Sequence, residues 1–212
     1  MTLGLKVLLC LGEYEALNGA LTAGWGGPLL DFLRHVQQHH QKIVLMFTGM
    51  KTFPALGREW TARFVAVRHT RVSFLTADEC RPLLERPVPE FNLRYGEGAL
   101  DALLGLTHGQ PFLTQAVAYE LVDQLNSERR QEASVADVEH AGDKAMESGE
   151  AYFHNLWDDA ESDGQSLLGR LAQRQAALAG ATRTRLREMD VLDDEGRFAV
   201  PLVEKWVRTR IA

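Results

Sequence analysis

The sequence predicts an α/β protein that is mostly helical, with a small parallel sheet followed by a helical bundle and a short mixed tail. Two apolar blocks of strand length, residues 7–11 and 43–47, each end abruptly on polar residues. A stretch with a helical apolar face lies between them, and strand, helix, strand in this order form a parallel crossover unit. Beyond residue 97, three stretches each carry one apolar face, which is typical of a helical bundle.

The first strand is an unbroken apolar run that is followed at once by Gly12, Glu13 and Glu15. Such a run is typical of a strand that is covered on both faces. In open parallel sheets the ligand crevice lies beyond the carboxyl ends of the strands, so Glu13 would stand where a substrate or metal sits. The alternative is that Glu13 only opens the next helix, near whose N-terminus a carboxylate is favourable.

The second strand ends on Thr48 and Gly49, and the crossover should place this end beside that of the first strand. Residues 25–28, Trp-Gly-Gly-Pro, are expected to form the loop that precedes the crossover helix. That helix carries its apolar face on Leu29, Leu30, Leu33 and Val36.

Before the bundle, residues 50–67 are expected to form a loop and a short helix, and residues 71–75 a third strand. Thr76 and Glu79 have the spacing of a capping box, which predicts a helix start. Pro82 would then remove a backbone hydrogen bond from the second turn, so this helix is expected to be kinked or to begin later.

The three bundle helices are predicted at residues 97–106, 111–126 and 134–146. The joint between the first two places Gly109 where a helix ends and Pro111 where the next begins, which by itself is ordinary helix punctuation.

The tail changes its charge along the chain, from an acidic segment at residues 128–163 to an arginine-rich segment at residues 164–187. It is expected to form two helices, two short strands within residues 191–200 around Asp-Asp-Glu-Gly, and a final helix from Pro201. This order is typical of a winged helix.

Four segments together resemble a known family. VLLCLGEYEAL resembles the Walker B strand of P-loop ATPases, and KIVLMFTG resembles the sensor 1 strand that follows it. GLTHGQPFLTQAVAYEL resembles the Gly-x-Pro lid motif of the AAA-like and STAND signalling ATPases, and the tail resembles their winged-helix module. The resemblance implies a partial P-loop NTPase core at residues 1–75, a helical lid at 76–148 and a winged helix at 149–212.

The same resemblance implies the site residues. Glu13 takes the place of the catalytic carboxylate that polarises the attacking water. The positions that match the family's nucleotide contacts are Gly12, Thr48, Lys51, Gly109 and Pro111.

Two departures from the family's pattern limit the expected activity. Gly12 stands where the family has the Asp of its magnesium shell, and no segment matches G-x-x-x-x-G-K-[ST], the phosphate loop that the family carries upstream. We therefore expect the C-terminal part of such an ATPase, which hydrolyses no ATP alone. ATP and magnesium would bind only if an upstream half or a protein partner supplied the missing loop.

The tail leaves a second function open. Arg183, Arg185 and Arg187 lie where a winged helix would approach DNA, and clustered arginines neutralise phosphates. The acidic residues that follow directly would repel DNA, so regulatory packing against the lid ranks first and DNA contact second. The alternative to the ATPase-related function is a non-catalytic protein-interaction or winged-helix DNA-binding protein.

Composition indicates a cytoplasmic globular protein of 212 residues with a net charge of -6. Cys10 and Cys80 make no disulfide framework, which fits a reducing compartment. The sequence has no apolar run of the roughly 18 residues that span a bilayer, so no membrane partner is expected. His35 and His39 have metal-ligand spacing, but without a nearby carboxylate or cysteine a polar helix end is favoured and no metal is predicted.

Overall fold

The computed structural model describes residues 5–175 and 180–211. The chain divides into two compact units, the N-terminal unit (Met1–Arg71) and the C-terminal unit (Val72–Ala212). The division of the chain into three domains at residues 1–75, 76–148 and 149–212 stays a prediction.

The N-terminal unit contains the predicted strand, helix, strand order. Its elements are β1 (Val7–Gly12), a 3-10 turn (Tyr14–Leu17), α1 (Asn18–Thr22), α2 (Gly26–His39), β2 (Ile43–Thr48), α3 (Phe53–Leu56) and α4 (Arg58–Arg63). The two strands pair in parallel, with Val7 opposite Ile43 and Gly12 opposite Thr48. The prediction of a loop at residues 25–28 is wrong in part. Gly26, Gly27 and Pro28 already belong to α2, and only Trp25 precedes it.

One face of this sheet packs on a small aromatic core. Leu11, Leu45 and Phe47 contact the cluster, whose buried members are Tyr14, Leu30, Leu33, Phe53, Trp60 and Phe64. The indole N–H of Trp60 donates to Asn18 Oδ1 over 2.7 Å, so the largest ring is also held by a hydrogen bond.

The opposite face is open, so the prediction of a strand covered on both faces is wrong. Leu8, Val44 and Met46 lie on that face and remain 58%, 50% and 46% exposed. Cys10, predicted to be in a buried strand, is also exposed. Within the described residues the sheet has only these two strands, and the exposure of these side chains shows that no described element covers the second face.

The predicted third strand at residues 71–75 is wrong. This segment has no regular secondary structure and joins no sheet in the part of the chain that the structure describes, and Val72 is 90% exposed. Its hydrogen bonding goes elsewhere, since the Leu75 N–H donates to the Gly109 carbonyl over 2.8 Å. A strand needs a partner edge, and this backbone is committed to a helix joint instead.

The C-terminal unit is a helical assembly with one parallel two-residue ladder. Its elements are α5 (Ala77–Glu85), β3 (Arg94–Tyr95), α6 (Ala99–Thr107), α7 (Pro111–Ser127), β4 (Glu132–Ala133), α8 (Val135–Ser148), α9 (Glu150–Asp159), α10 (Glu161–Ala172), α11 (Ala181–Glu188) and α12 (Pro201–Ile211). The three predicted bundle helices correspond to α6, α7 and α8. Leu103, Leu121 and Val138, one from each, are buried in a core that continues into the tail.

Local signals set the helix starts. Thr76 caps α5 in a complete capping box with Glu79, so the helix begins where the box predicts, and Pro82 lies inside it. Ser134 and Asp137 form a second box at the start of α8. The predicted hairpin within residues 191–200 is reduced to a single antiparallel bridge, Leu192 to Phe198, rather than two strands.

Candidate functional site

The two polar strand ends lie side by side, as the crossover predicts. Gly12 and Thr48 are opposite each other in the register, and a Cβ on Gly12 would lie 3.8 Å from Thr48 Oγ1. Glu13 follows directly and is exposed, with a left-handed backbone at φ 50. Its backbone turns the chain sharply from β1 into the 3-10 turn, so Glu13 lies at the carboxyl end of the strand.

The residues that hold these ends together were missed by the sequence reasoning. Glu15 Oε1 accepts the Met50 N–H over 2.8 Å, and the Tyr14 hydroxyl donates to the Lys51 carbonyl. The turn after β1 therefore fixes the loop after β2 through two bonds. The only signal for these contacts in the sequence is the second acidic residue of Glu-Tyr-Glu, and a pattern of apolar residues does not show what that residue contacts.

Glu15 is packed tightly at this place. Its Oε2 is buried and has no hydrogen-bond partner among the described residues. A Cβ on Gly49 would lie 1.9 Å from that oxygen, so the glycine leaves the space that the carboxylate fills. Burial, and then the charge of Glu15, raise the pKa of Tyr14 above its ordinary value.

A magnesium ion is a poor fit to these residues as they stand. Gly12 has no side-chain oxygen where the resembled family has Asp, and the described ranges contain no group of three or more His, Cys, Asp or Glu that could hold a metal. The rings of His35 and His39 lie 4.5 Å apart and the ring of His40 lies 5.7 Å from that of His35, but among the described residues they do not form a group that could hold a metal.

The Gly-x-Pro residues belong to the C-terminal unit and form the joint between α6 and α7. Gly109 has φ 73, and a Cβ there would lie 1.9 Å from the Leu75 carbonyl oxygen, so only glycine fits. Pro111 occupies the first turn of α7, where Gln110 caps the helix by accepting the Leu113 N–H over 2.7 Å. The joint is thereby tied to the segment that precedes α5.

A comparison with solved structures finds a protein of similar fold. A Walker-type ATPase of Pyrococcus abyssi matches with a TM-score of 0.66 and 14% sequence identity, over 96% of this chain and 63% of that protein. The chain has a P-loop-ATPase-like fold. It spans somewhat less than two thirds of the length of that neighbour. No protein-family model matches the sequence, and no curated protein matches it significantly.

Within this P-loop-ATPase-like fold, the three arginines proposed for DNA contact are engaged inside the tail. Arg183 donates to the Glu195 carbonyl, and Arg187 pairs with Asp194. Arg185 pairs with Asp163 over 2.5 Å and also donates to the Ala160 carbonyl over 2.9 Å. Each guanidinium holds α11 to a neighbouring segment, so a phosphate would have to compete with these contacts.

A shallow apolar groove of about 260 Å³ lies on the C-terminal unit, beside Phe112, Tyr119 and Gly149. It is smaller than the roughly 300–1,000 Å³ of typical small-molecule sites. Of the described helices, none is long and apolar enough to cross a membrane.

Proposed function

We propose that this chain is the sensor, lid and winged-helix part of an ATP-dependent switch of the STAND or AAA-like type. The observation that carries the proposal is the pair of polar strand ends, Gly12-Glu13 and Thr48, side by side on a parallel sheet. They lie in a chain whose fold is P-loop-ATPase-like over nearly all of its length. Chemistry at the carboxyl ends of parallel strands is the general rule for such sheets.

In this proposal each predicted residue has a role toward ATP. Phosphoryl transfer depends on positioning and electrostatic stabilisation, so the exposed carboxylate of Glu13 would orient and polarise the attacking water. Thr48 would sense the terminal phosphate, and Lys51 would add positive charge in the loop that Tyr14 and Glu15 fix.

In the C-terminal unit, the resemblance alone gives Gly109 and Pro111 a role, as contacts to the base side of the nucleotide. The tail would act as a winged helix that packs within the switch, which the inward contacts of Arg183, Arg185 and Arg187 support over DNA binding.

The phosphate loop would be supplied from outside the described sheet, by an upstream half or by a protein partner in the cytoplasm. Among the described residues the two strands each have one unpaired edge, where further strands would pair, and the open face of Leu8, Val44 and Met46 would be covered by further elements of the completed protein. Because Gly12 provides no magnesium-shell oxygen, ATP and magnesium belong to the completed protein in this proposal. The chain alone is expected to show no ATP turnover above background.

The test is to read the DNA upstream of the Met1 codon and to express any in-frame extension with this chain. We expect an extension that encodes a strand and G-x-x-x-x-G-K-[ST], and ATP binding that appears only with it. The proposal would be overturned if the extended protein, purified as a monomer, bound no ATP. It would also be overturned if neither the same polypeptide nor a partner protein carried such a phosphate-loop segment.

Two matched variants then identify the catalytic carboxylate in the ATP-binding form. Glu13→Gln should abolish turnover and leave ATP binding, whereas Glu15→Gln keeps an oxygen that accepts from Met50 and should retain most turnover. The reverse result would move the catalytic role to Glu15. If this chain without any extension hydrolysed ATP steadily, and Glu13→Gln abolished that turnover, the need for a separate phosphate loop would be contradicted.

A further inference from the structure

His108 is a strained residue at the end of α6. It adopts the left-handed conformation, φ 46 and ψ 31, at the C-terminal cap where glycine is the favoured residue. Gly109 follows with φ 73, so two successive residues turn in the left-handed region. Side chains rarely accept this conformation, and they persist there only when the surroundings hold them.

The surroundings hold His108 through its ring. Nδ1 lies 2.7 Å from the Ala199 carbonyl oxygen, 91 positions along the chain. A carbonyl oxygen only accepts, so Nδ1 carries the proton and donates. The residue is exposed, so the ring contributes this bond rather than buried apolar surface.

Three distant segments of the C-terminal unit meet at this place. The Gly109 carbonyl accepts the Leu75 N–H over 2.8 Å, and the Ser73 hydroxyl donates to Asp190 Oδ2 over 3.2 Å. The Ala199 N–H in turn donates to the Val191 carbonyl over 2.9 Å. The α6–α7 joint is therefore bonded to the segment before α5 and to the chain between α11 and α12.

We propose that His108 is a latch that holds the chain between α11 and α12, residues 190–199, to the α6–α7 joint. An exposed hydrogen bond on a strained residue opens more easily than the packed core beneath it. Opening the latch releases the Ala199 carbonyl and loosens the hydrogen bond from the Ala199 N–H to Val191, while Val191, Leu192 and Phe198 stay buried in the same core as α7 and α8. The proposed function enters only as the trigger, since nucleotide at Gly109 and Pro111 would bias the joint that carries the latch.

Amide hydrogen exchange on the full chain tests the latch directly. His108→Gly removes both the bond and the backbone strain, so the variant should fold, and His108→Ala removes the bond alone. We expect the Ala199 amide, which neighbours the carbonyl that His108 holds, to exchange about five to ten times faster in both variants, the effect of losing one hydrogen bond. Amides of α7 should keep the wild-type rate. His140→Ala, at an exposed histidine of α8, is the matched control and should change neither.

Each outcome decides the matter. Unchanged exchange at Ala199 in both variants would overturn the latch, and so would equal acceleration in α7, since His108 would then be an ordinary contribution to global stability. In the ATP-binding form, faster exchange at Ala199 on adding ATP would connect the trigger to the latch. If the variants exchanged faster at Ala199 but ATP did not change the wild-type exchange there, the nucleotide trigger would be overturned and the latch would remain.

Discussion

The two units differ in how completely their secondary structure is packed. In the C-terminal unit, helices α6, α7 and α8 bury Leu103, Leu121 and Val138 in one core that continues through the tail. In the N-terminal unit, the sheet packs only one face and leaves Leu8 and Val44 at least half exposed. Helices satisfy their own backbone groups, whereas a strand depends on neighbours that lie elsewhere. The contrast is between a helical unit with one continuous core and a unit whose sheet has strand edges that could accept more strands.

The largest expected effect is a difference in amide protection between the units. Isolated two-stranded sheets are marginal in water, so amides of β1 and β2 should exchange at least about 100-fold faster than those of α7. Hydrogen exchange with mass spectrometry on the purified chain measures both in one sample. Sedimentation should accompany it, because exposed apolar edges favour self-association.

The same experiment can break the comparison. If β1 and β2 were the best-protected segments of a monomer, the sheet would be complete as it stands. The proposal of a missing phosphate-loop segment would then be wrong.

A pair of leucines sharpens the comparison at the level of single side chains. Leu121→Ala empties a fully buried position in α7 and should lower the free energy of unfolding by about 2–5 kcal/mol. Leu8→Ala, on the open face of β1, should change it by less than about 0.5 kcal/mol. Urea unfolding followed by circular dichroism measures both. Similar losses from the two changes would show that a partner covers Leu8 in solution.

A pair of glycines compares the α6–α7 joint with the strand end. Gly109→Ala requires a left-handed alanine and drives its Cβ against the Leu75 carbonyl, so a loss of about 2–3 kcal/mol is expected. Gly12→Ala meets only Thr48 Oγ1 at 3.8 Å and should be tolerated. Thermal unfolding of the two variants tests this, and a stable Gly109→Ala protein would rule out the tight joint.

The smallest effect concerns acid stability in the C-terminal unit. Hydrogen bonds from Arg130, and then from Ser134, hold the pKa of Asp137 well below its usual range. A carboxyl whose pKa is lowered by folding stabilises the protein above its unfolded pKa of about 4 and loses that contribution as the pH falls further. Asp137→Asn should cost about 1 kcal/mol at pH 7, as other losses of helix caps do, and should flatten the decline below pH 4.

Unfolding by urea between pH 2 and pH 7 measures this dependence. Asp123→Asn, at an exposed position of α7, is the control and should follow the wild-type curve. An Asp137→Asn curve parallel to the wild type would show that Asp137 does not account for the acid response.

The sequence predicted the features that depend on neighbours along the chain. The apolar face of α2, the capping box of Thr76 and Glu79 and the start of α7 at Pro111 are local signals, and each appears in the structure. The third strand at residues 71–75 was wrong because an apolar run does not show which edge will accept its hydrogen bonds.

The predicted site residues divide in the same way. Gly12 and Thr48 meet because the crossover rule fixes their strand ends. The contacts of Glu15 and His108 join residues 35 and 91 positions apart, and no periodicity records such pairs. The arginines of α11 show the same limit, since their partners Asp163 and Asp194 are set by the fold and not by the cluster itself.

The parallel pairing of β1 with β2 also governs the order in which the N-terminal unit folds. The register joins Val7 to Ile43, a separation of 36 residues. Closing a loop of that length costs about 3 kcal/mol of chain entropy before any ladder bond compensates for it. During synthesis β1 emerges first and remains an unpaired apolar segment until α2 has formed and β2 has followed. We therefore expect the sheet to form last and slowly in this unit, and the nascent chain to be most exposed to association before the sheet closes.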